Sequence, residues 1–283
     1  MSIEELLSKE GRTIAFHHIE KCGGLSIDLA FRKKYGLRYR YIIERNKWAQ
    51  QSDPVVIHRE CIQNKLRAIS GHTLRPISKY LETQNFISLT LIREPVKRYV
   101  SDFLYCRCRG FFKGSIEDWM KDKVRVNHIS KYLCGHGRDA KEGTDILAKC
   151  SLIADSITLD DLTMAICGTM IRRNRASKIM REKAISIEQS YGDEIRSINS
   201  TDIEVWDWFK NSGRGQVNWS CKKNQTCKTN QVQNYCNLIA NTFYREAIYK
   251  PSRGIWPSKD AFLPLHSPNS ISEFDVQNLQ SLL

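Results

Sequence analysis

Apolar positions along the chain fall into short runs divided by polar turns, with helical spacing between them. Residues 13–19 read as a short buried strand, and after the turn Gly23-Gly24 the positions Ile27, Leu29, Ala30 and Phe31 give an amphipathic stretch over 25–31. A second β-rich run covers 86–92 and stops at Arg93-Glu94-Pro95. The proline suits the first turn of a helix carrying Val96, Tyr99, Val100 and Phe103 on one face. Residues 67–72 and 151–154 read as two further brief strands. Short strands alternating with helices predict an α/β fold, with a central parallel sheet covered by helices on both faces.

Helical patterning returns over 159–171 and 188–209, where Ile195, Ile198, Ile203, Val205 and Trp206 are expected in the core. The chain changes character after Lys210. Ser212-Gly213-Arg214-Gly215 is turn chemistry, a polar loop runs from Cys221 to Cys227, one helix is expected near 232–249, and the tail is punctuated by prolines. No internal repeat or low-complexity tract interrupts this order. A chain of 283 residues can bury one α/β core without disulfides.

Charge adds a bias toward anionic partners. Lys and Arg number 44 against 31 Asp and Glu, a formal +13, so phosphates, sulfates, polyanionic glycans and nucleic acid are all attracted. No zinc-finger spacing or aromatic RNA-binding string accompanies the charge, and no specific nucleic-acid partner is expected. The 10 cysteines are scattered and read as reduced, buried small residues. Cys221 and Cys227 can pair or hold a metal, but no matching His/Cys cluster supports a zinc site, and no metal is expected. The start, Met1 to Leu7, lacks a basic region followed by a long apolar stretch, and no segment approaches ~18 uninterrupted apolar residues. A complete chain of this kind is expected to be soluble and cytoplasmic, and a truncated lumenal domain would sit in the Golgi lumen. Asn199, Asn218 and Asn224 each head a glycosylation acceptor pattern, read here as chance matches.

Two constellations carry chemistry. In Phe16-His17-His18-Ile19-Glu20-Lys21-Cys22-Gly23-Gly24-Leu25-Ser26 a strand ends in a lysine and two glycines and enters a helix. Such a turn can wrap backbone N–H groups around a phosphate or sulfate, with Lys21 as a mobile charge and Ser26 as a hydroxyl donor. Gly-Gly by itself favours the reading of an ordinary tight turn, and no standard P-loop string is present. In Arg93-Glu94-Pro95-Val96-Lys97-Arg98-Tyr99-Val100-Ser101, an arginine leaves a buried strand at its carboxyl edge, and Ser101 follows two turns into a helix. Both can reach one phosphate, the arginine through its planar fork. The plainer alternative is that Arg93 pairs with a local acid and Ser101 is a small packing residue.

Together the two segments, H-I-x-K-C-G-G-x-S and R-x-P-x-x-R-x-x-S, resemble the sulfotransferases of the heparan-sulfate 2-O and related carbohydrate class. Weaker matches follow the family's order at Ser70-Gly71-His72, at 127–135 and at 198–206, so the resemblance spans roughly 12–210. It implies a P-loop NTPase-like sulfotransferase domain over 1–210 and a mainly helical and loop C-terminal extension over 211–283 packed on it. It further implies 3′-phosphoadenosine 5′-phosphosulfate (PAPS) as donor, 3′-phosphoadenosine 5′-phosphate (PAP) as product, and a hydroxyl-bearing acceptor, a glycan. Lys21, Cys22, Gly23, Gly24, Leu25 and Ser26 become ligands of the 5′-phosphosulfate, Arg93 and Ser101 ligands of the 3′-phosphate, and His72 the general base with Lys21 assisting. Arg107 and Arg109, beyond the Ser101 helix, are expected to contact the acceptor. The basic run from Arg172 to Lys183 reads as a solvated helix face, with donor phosphates or an anionic acceptor as the alternative. Glu20 stands where the family usually has proline, and Leu25 where it has Thr or Ser. These departures keep open a homologue that binds nucleotide without turnover; a nucleotide kinase or a nucleic-acid-binding module is the remoter alternative.

Overall fold

The computed structural model describes residues 12–42, 54–82, 85–171 and 176–213. Five strands, β1 (Thr13–His17), β2 (Tyr39–Tyr41), β3 (Ala68–Gly71), β4 (Phe86–Ile92) and β5 (Leu152–Asp155), form one sheet in the order β2-β3-β1-β4-β5. Every neighbouring pair is parallel. The helices are α1 (Gly24–Tyr35), α2 (Pro54–Gln63), α3 (Ser78–Leu81), α4 (Pro95–Cys108), α5 (Ile116–Met120), α6 (His128–Cys134), α7 (Ala140–Lys149), α8 (Leu159–Cys167), α9 (Lys178–Ile198) and α10 (Ser200–Asn211).

All residues of β1, β3, β4 and β5 are buried, as a parallel sheet sandwiched between helices requires. On β1, Ile14 and Phe16 enter the main core with Leu89, Leu91, Phe31, Leu162 and Val205, while Ala15 faces the opposite side with Ile69, Cys61 and Tyr80. That alternation is the two-residue period of a strand. A third cluster joins α4, α5 and α9 through Tyr99, Phe103, Trp119, Ile187 and Ile195.

The expected α/β architecture is therefore present, and several local expectations change. β2 and α2 were not legible as elements. The helix expected over 159–171 stops at Cys167, where Gly168 takes a left-handed cap with φ 71°. The single helix expected over 188–209 is two helices meeting at Asn199. Asn199 is 1% exposed, donates to the Ile195 carbonyl and accepts from the Asn127 backbone, so its side chain is not available as a glycosylation acceptor in the folded chain. Ile195 and Val205 are buried as expected, whereas Ile198, Ile203 and Trp206 are only partly so. The Cys221 to Cys227 loop, the helix near 232–249, Asn218, Asn224, most of the 211–283 extension and residues 172–175 of the basic run lie outside the described residues. Among the described residues no helix is long and apolar enough to cross a membrane.

The strand order reverses direction at β1, whose neighbours β3 and β4 lie on its two sides. In open parallel sheets ligands bind at the carboxyl ends of the strands beside such a reversal. The loops after β1, β3 and β4 all leave from that edge, and they carry the glycine turn, His72 and Arg93.

Candidate active site

Two residues of the loop after β1 hold left-handed backbone: Lys21 with φ 66° and Gly23 with φ 95°. Glycine adopts this at no steric cost, whereas a lysine is strained there and stays only because its surroundings hold it. Gly23 begins α1 without a side-chain cap, and the first turn contains no acid, so no side-chain cap or first-turn carboxylate offsets the positive end of that helix among the described residues. A Cβ on Gly24 would overlap the His18 ring. The second glycine thus has a structural reason beyond close approach to a ligand: the imidazole lies against its Cα.

Lys21 is held at both ends. Arg93 Nη1 donates to its carbonyl at 3.2 Å, and its Nζ lies 3.6 Å from the centroid of the Tyr105 ring. Burial pulls its ammonium down to about 8, against the opposing pull of Asp102, Cys106 and Glu20. Arg93, expected as a phosphate ligand, therefore also stitches β4 to the loop. Ser101 is half-buried on α4, and its hydroxyl has no hydrogen-bond partner among the described residues.

His72 follows β3. Its Nδ1 is 2.8 Å from the His18 carbonyl, an atom that can only accept, so Nδ1 carries the proton and Nε2 is bare. Burial, reinforced by His18, pushes this imidazole down to about 4, leaving it neutral at pH 7. The turn that carries it is pinned by the Tyr132 hydroxyl, which donates to the Leu74 carbonyl at 2.8 Å, and by His17 Nδ1, 2.7 Å from the same oxygen.

Beneath His72 lies a buried polar group that sequence reading missed. The His18 ring sits 4.2 Å from the His72 ring between centroids. Its Nδ1 is 3.2 Å from Asp28 Oδ2, within ion-pair range though off the line of a hydrogen bond. Asp28 also accepts from Ser70 at 2.6 Å and from Tyr39 at 2.9 Å. Burial raises its pKa, but the electrostatic interaction with His18 and the hydrogen bonds from Ser70 and Tyr39 outweigh that and hold the carboxyl below its ordinary value.

Glu20 faces His128 across 3.6 Å. Burial, then Asp102, push the Glu20 carboxyl up, while burial, then Arg98 and His72, push the imidazole well below its ordinary value. The departure from proline therefore places a carboxyl with a raised pKa in the loop. Arg98, 1% exposed, lies 3.6 Å from Asp102 Oδ2, and neither of these groups forms a hydrogen bond through those atoms.

The remaining expected residues divide by orientation. Cys22 is fully buried, with its thiol pushed up to about 12 by burial and donating to the Glu20 carbonyl at 3.7 Å, so its side chain is not open to a ligand. The Ser26 side chain is buried as well, and Leu25 is 40% exposed. Arg109 lies 5.7 Å from the Tyr105 ring, the ring that also carries Lys21, and Arg107 lies 5.9 Å from Phe103. Tyr105 had no motif to announce it. Among the described residues no group of three or more His, Cys, Asp or Glu is placed to hold a metal ion.

A family model described as "Sulfotransferase family" matches residues 4–139. Over that stretch the chain is similar to the sulfotransferases. The match takes in β1 to β4 and α1 to α6, and with them every expected site residue, and the all-parallel sheet flanked by helices is that of an α/β sulfotransferase fold. It is a match to sulfotransferases at large and does not single out the heparan-sulfate class. No curated protein matches the chain.

Proposed function

We propose that the protein is a sulfotransferase that moves a sulfuryl group from PAPS to a hydroxyl of a carbohydrate acceptor and releases PAP. The observation that carries this reading is the meeting, at three adjacent strand ends, of an uncapped helix start, a half-buried lysine, an arginine and an imidazole whose free nitrogen is Nε2. The fit to an anionic donor rests on that helix start, where Gly23 leaves the positive end of α1 without a side-chain cap or an acid.

When bound, PAPS supplies an activated sulfuryl group on a phosphate. His72 Nε2 takes the acceptor hydroxyl proton as the oxygen bonds to sulfur, and the electron pair of the broken S–O bond leaves on the phosphate oxygen. Lys21 and the N–H groups at the start of α1 lower the energy of charge gathering on that oxygen. Arg93 and Ser101 hold the 3′-phosphate, the serine through its unpartnered hydroxyl. A pKa of about 4 keeps His72 unprotonated at neutral pH, and negative charge brought by the donor moves it upward, toward efficient proton transfer. Glu20 and Leu25 favour a second reading, nucleotide binding without turnover. Burial raises the Glu20 pKa, which weakens the electrostatic part of that second reading.

Calorimetric titration tests the donor half of the proposal. PAP is expected to bind in the micromolar range, with ADP and the Arg93→Ala variant at least about tenfold weaker. Equal affinity for PAP and ADP would refute it. Sulfate transfer from labelled PAPS to a panel of glycans, tyrosine peptides and small alcohols then tests turnover and acceptor class.

A further inference from the structure

Lys21 and Tyr105 come from different elements, the loop after β1 and the third turn of α4, and meet face to face. The ammonium stands 3.6 Å from the ring centroid, well inside the range at which a cation is attracted by an aromatic face. Tyr105 is 40% exposed, so its place on α4 is not explained by burial in the core. The other groups that act on Lys21 are Asp102 and Cys106 of α4 and Glu20 of the loop, which favour the ammonium, and Arg93, which opposes it. Arg109 approaches the same Tyr105 ring from 5.7 Å, and His72 also feels the Lys21 charge.

We propose that Tyr105 is a positioning residue for Lys21: its ring face keeps the side chain a cation at the mouth of the loop, ready to turn toward the oxygen on which charge builds. An aromatic face suits this task better than a carboxylate. Its attraction is broad in angle and is partly kept as the ammonium swings, whereas a hydrogen-bonded carboxylate would have to be broken from the lysine and would repel an anionic donor. With the Arg93 bond to the Lys21 carbonyl, the ring completes a two-point hold on a residue whose backbone is strained. The contribution of Tyr105 to turnover rests on the sulfotransferase reading; its hold on Lys21 does not.

The test uses the full chain and reads Lys21 directly. Trace acetylation of lysines across a pH series, followed by peptide mass spectrometry, gives the titration midpoint of Lys21 without donor or acceptor. Tyr105→Leu is expected to lower that midpoint by about half a unit to one and a half units, and Tyr105→Phe to leave it within a few tenths. Pentafluorophenylalanine at position 105 keeps the ring shape but reverses the polarity of its face. It should behave like leucine, which separates the ring's charge distribution from any effect on folding. In the sulfate-transfer assay the basic limb of kcat/KM should move by the same amount, with kcat falling more than KM rises. An unchanged midpoint in Tyr105→Leu and in the fluorinated protein would overturn the proposal, even if activity were lost. A shifted midpoint in a protein that transfers no sulfate would uphold the hold on Lys21 and refute the sulfotransferase reading instead.

Discussion

The pH dependence of turnover follows from Lys21 with a definite sign. In the proposed reaction the lysine acts as a cation, so activity is expected below its pKa and is lost as pH rises through it. With the ammonium held at about 8, roughly 90% is charged at pH 7 and about 10% at pH 9, so kcat/KM for the donor falls about tenfold between them. An ordinary exposed lysine near ~10.4 would still be about 96% charged at pH 9, and kcat/KM would stay level. Lys21→Arg supplies the internal control. A guanidinium does not deprotonate in this range, so the limb should vanish even as the absolute rate drops because the fork does not fit a point-charge site. The assay is initial-rate sulfate transfer at constant ionic strength from pH 6 to 10. A level kcat/KM to pH 9.5, or the same limb in Lys21→Arg, refutes the assignment. His72 behaves oppositely: the base works unprotonated, and with a pKa of about 4 its C2–H resonance in the free protein should not move between pH 5.5 and 8.

Other perturbations test the parts separately. Gly24→Ala drives a methyl into the His18 ring, which is hemmed by Phe16, His72 and Asp28; a loss of about 1–3 kcal/mol in urea unfolding and weaker PAP binding are expected. Asp202 accepts from the Ile129 and Ser130 backbone at 2.9 and 2.8 Å and from the Ser130 hydroxyl at 2.6 Å, all at the buried start of α6. Asp202→Ala strands three donors and should cost about 3–5 kcal/mol, seen as a lower urea midpoint at constant slope; Asp202→Asn should recover part of it. Arg107→Ala or Arg109→Ala should lower activity on an acidic glycan while sparing a neutral one, and equal loss on both would remove these residues from acceptor recognition.

What the sequence made legible was whatever depends on near neighbours. The glycine turn, the β-rich run before Arg93 and the proline-started helix are local patterns, and the loops expected to carry chemistry do meet at one sheet edge. β2 escaped notice because Tyr39-Arg40-Tyr41 has no apolar run, and only Tyr39 is buried. The break at Asn199 was invisible because that side chain answers to Asn127 in another part of the chain. The same holds for the Asp28, His18, Ser70 and Tyr39 group and for Tyr105 beneath Lys21. Each residue alone is unremarkable, and only packing of separate elements gives it a partner. Cys22 and Ser26 show the converse limit: a motif marks the position while the side chain turns inward.

The place of β1 in the middle of the sheet has a consequence for how the chain is made. Ile14 is hydrogen-bonded into a ladder between Ala68 and Ile87, so the first described strand to leave the ribosome has no partner until much later segments have emerged. During that interval an apolar segment waits unpaired, a situation that slows folding and invites wrong pairings. The loop after β1 and its lysine therefore take shape only when β3 and β4 close on either side. Maturation of the centre and completion of the sheet are a single event, and yield on expression should respond to chaperone supply before catalytic constants do.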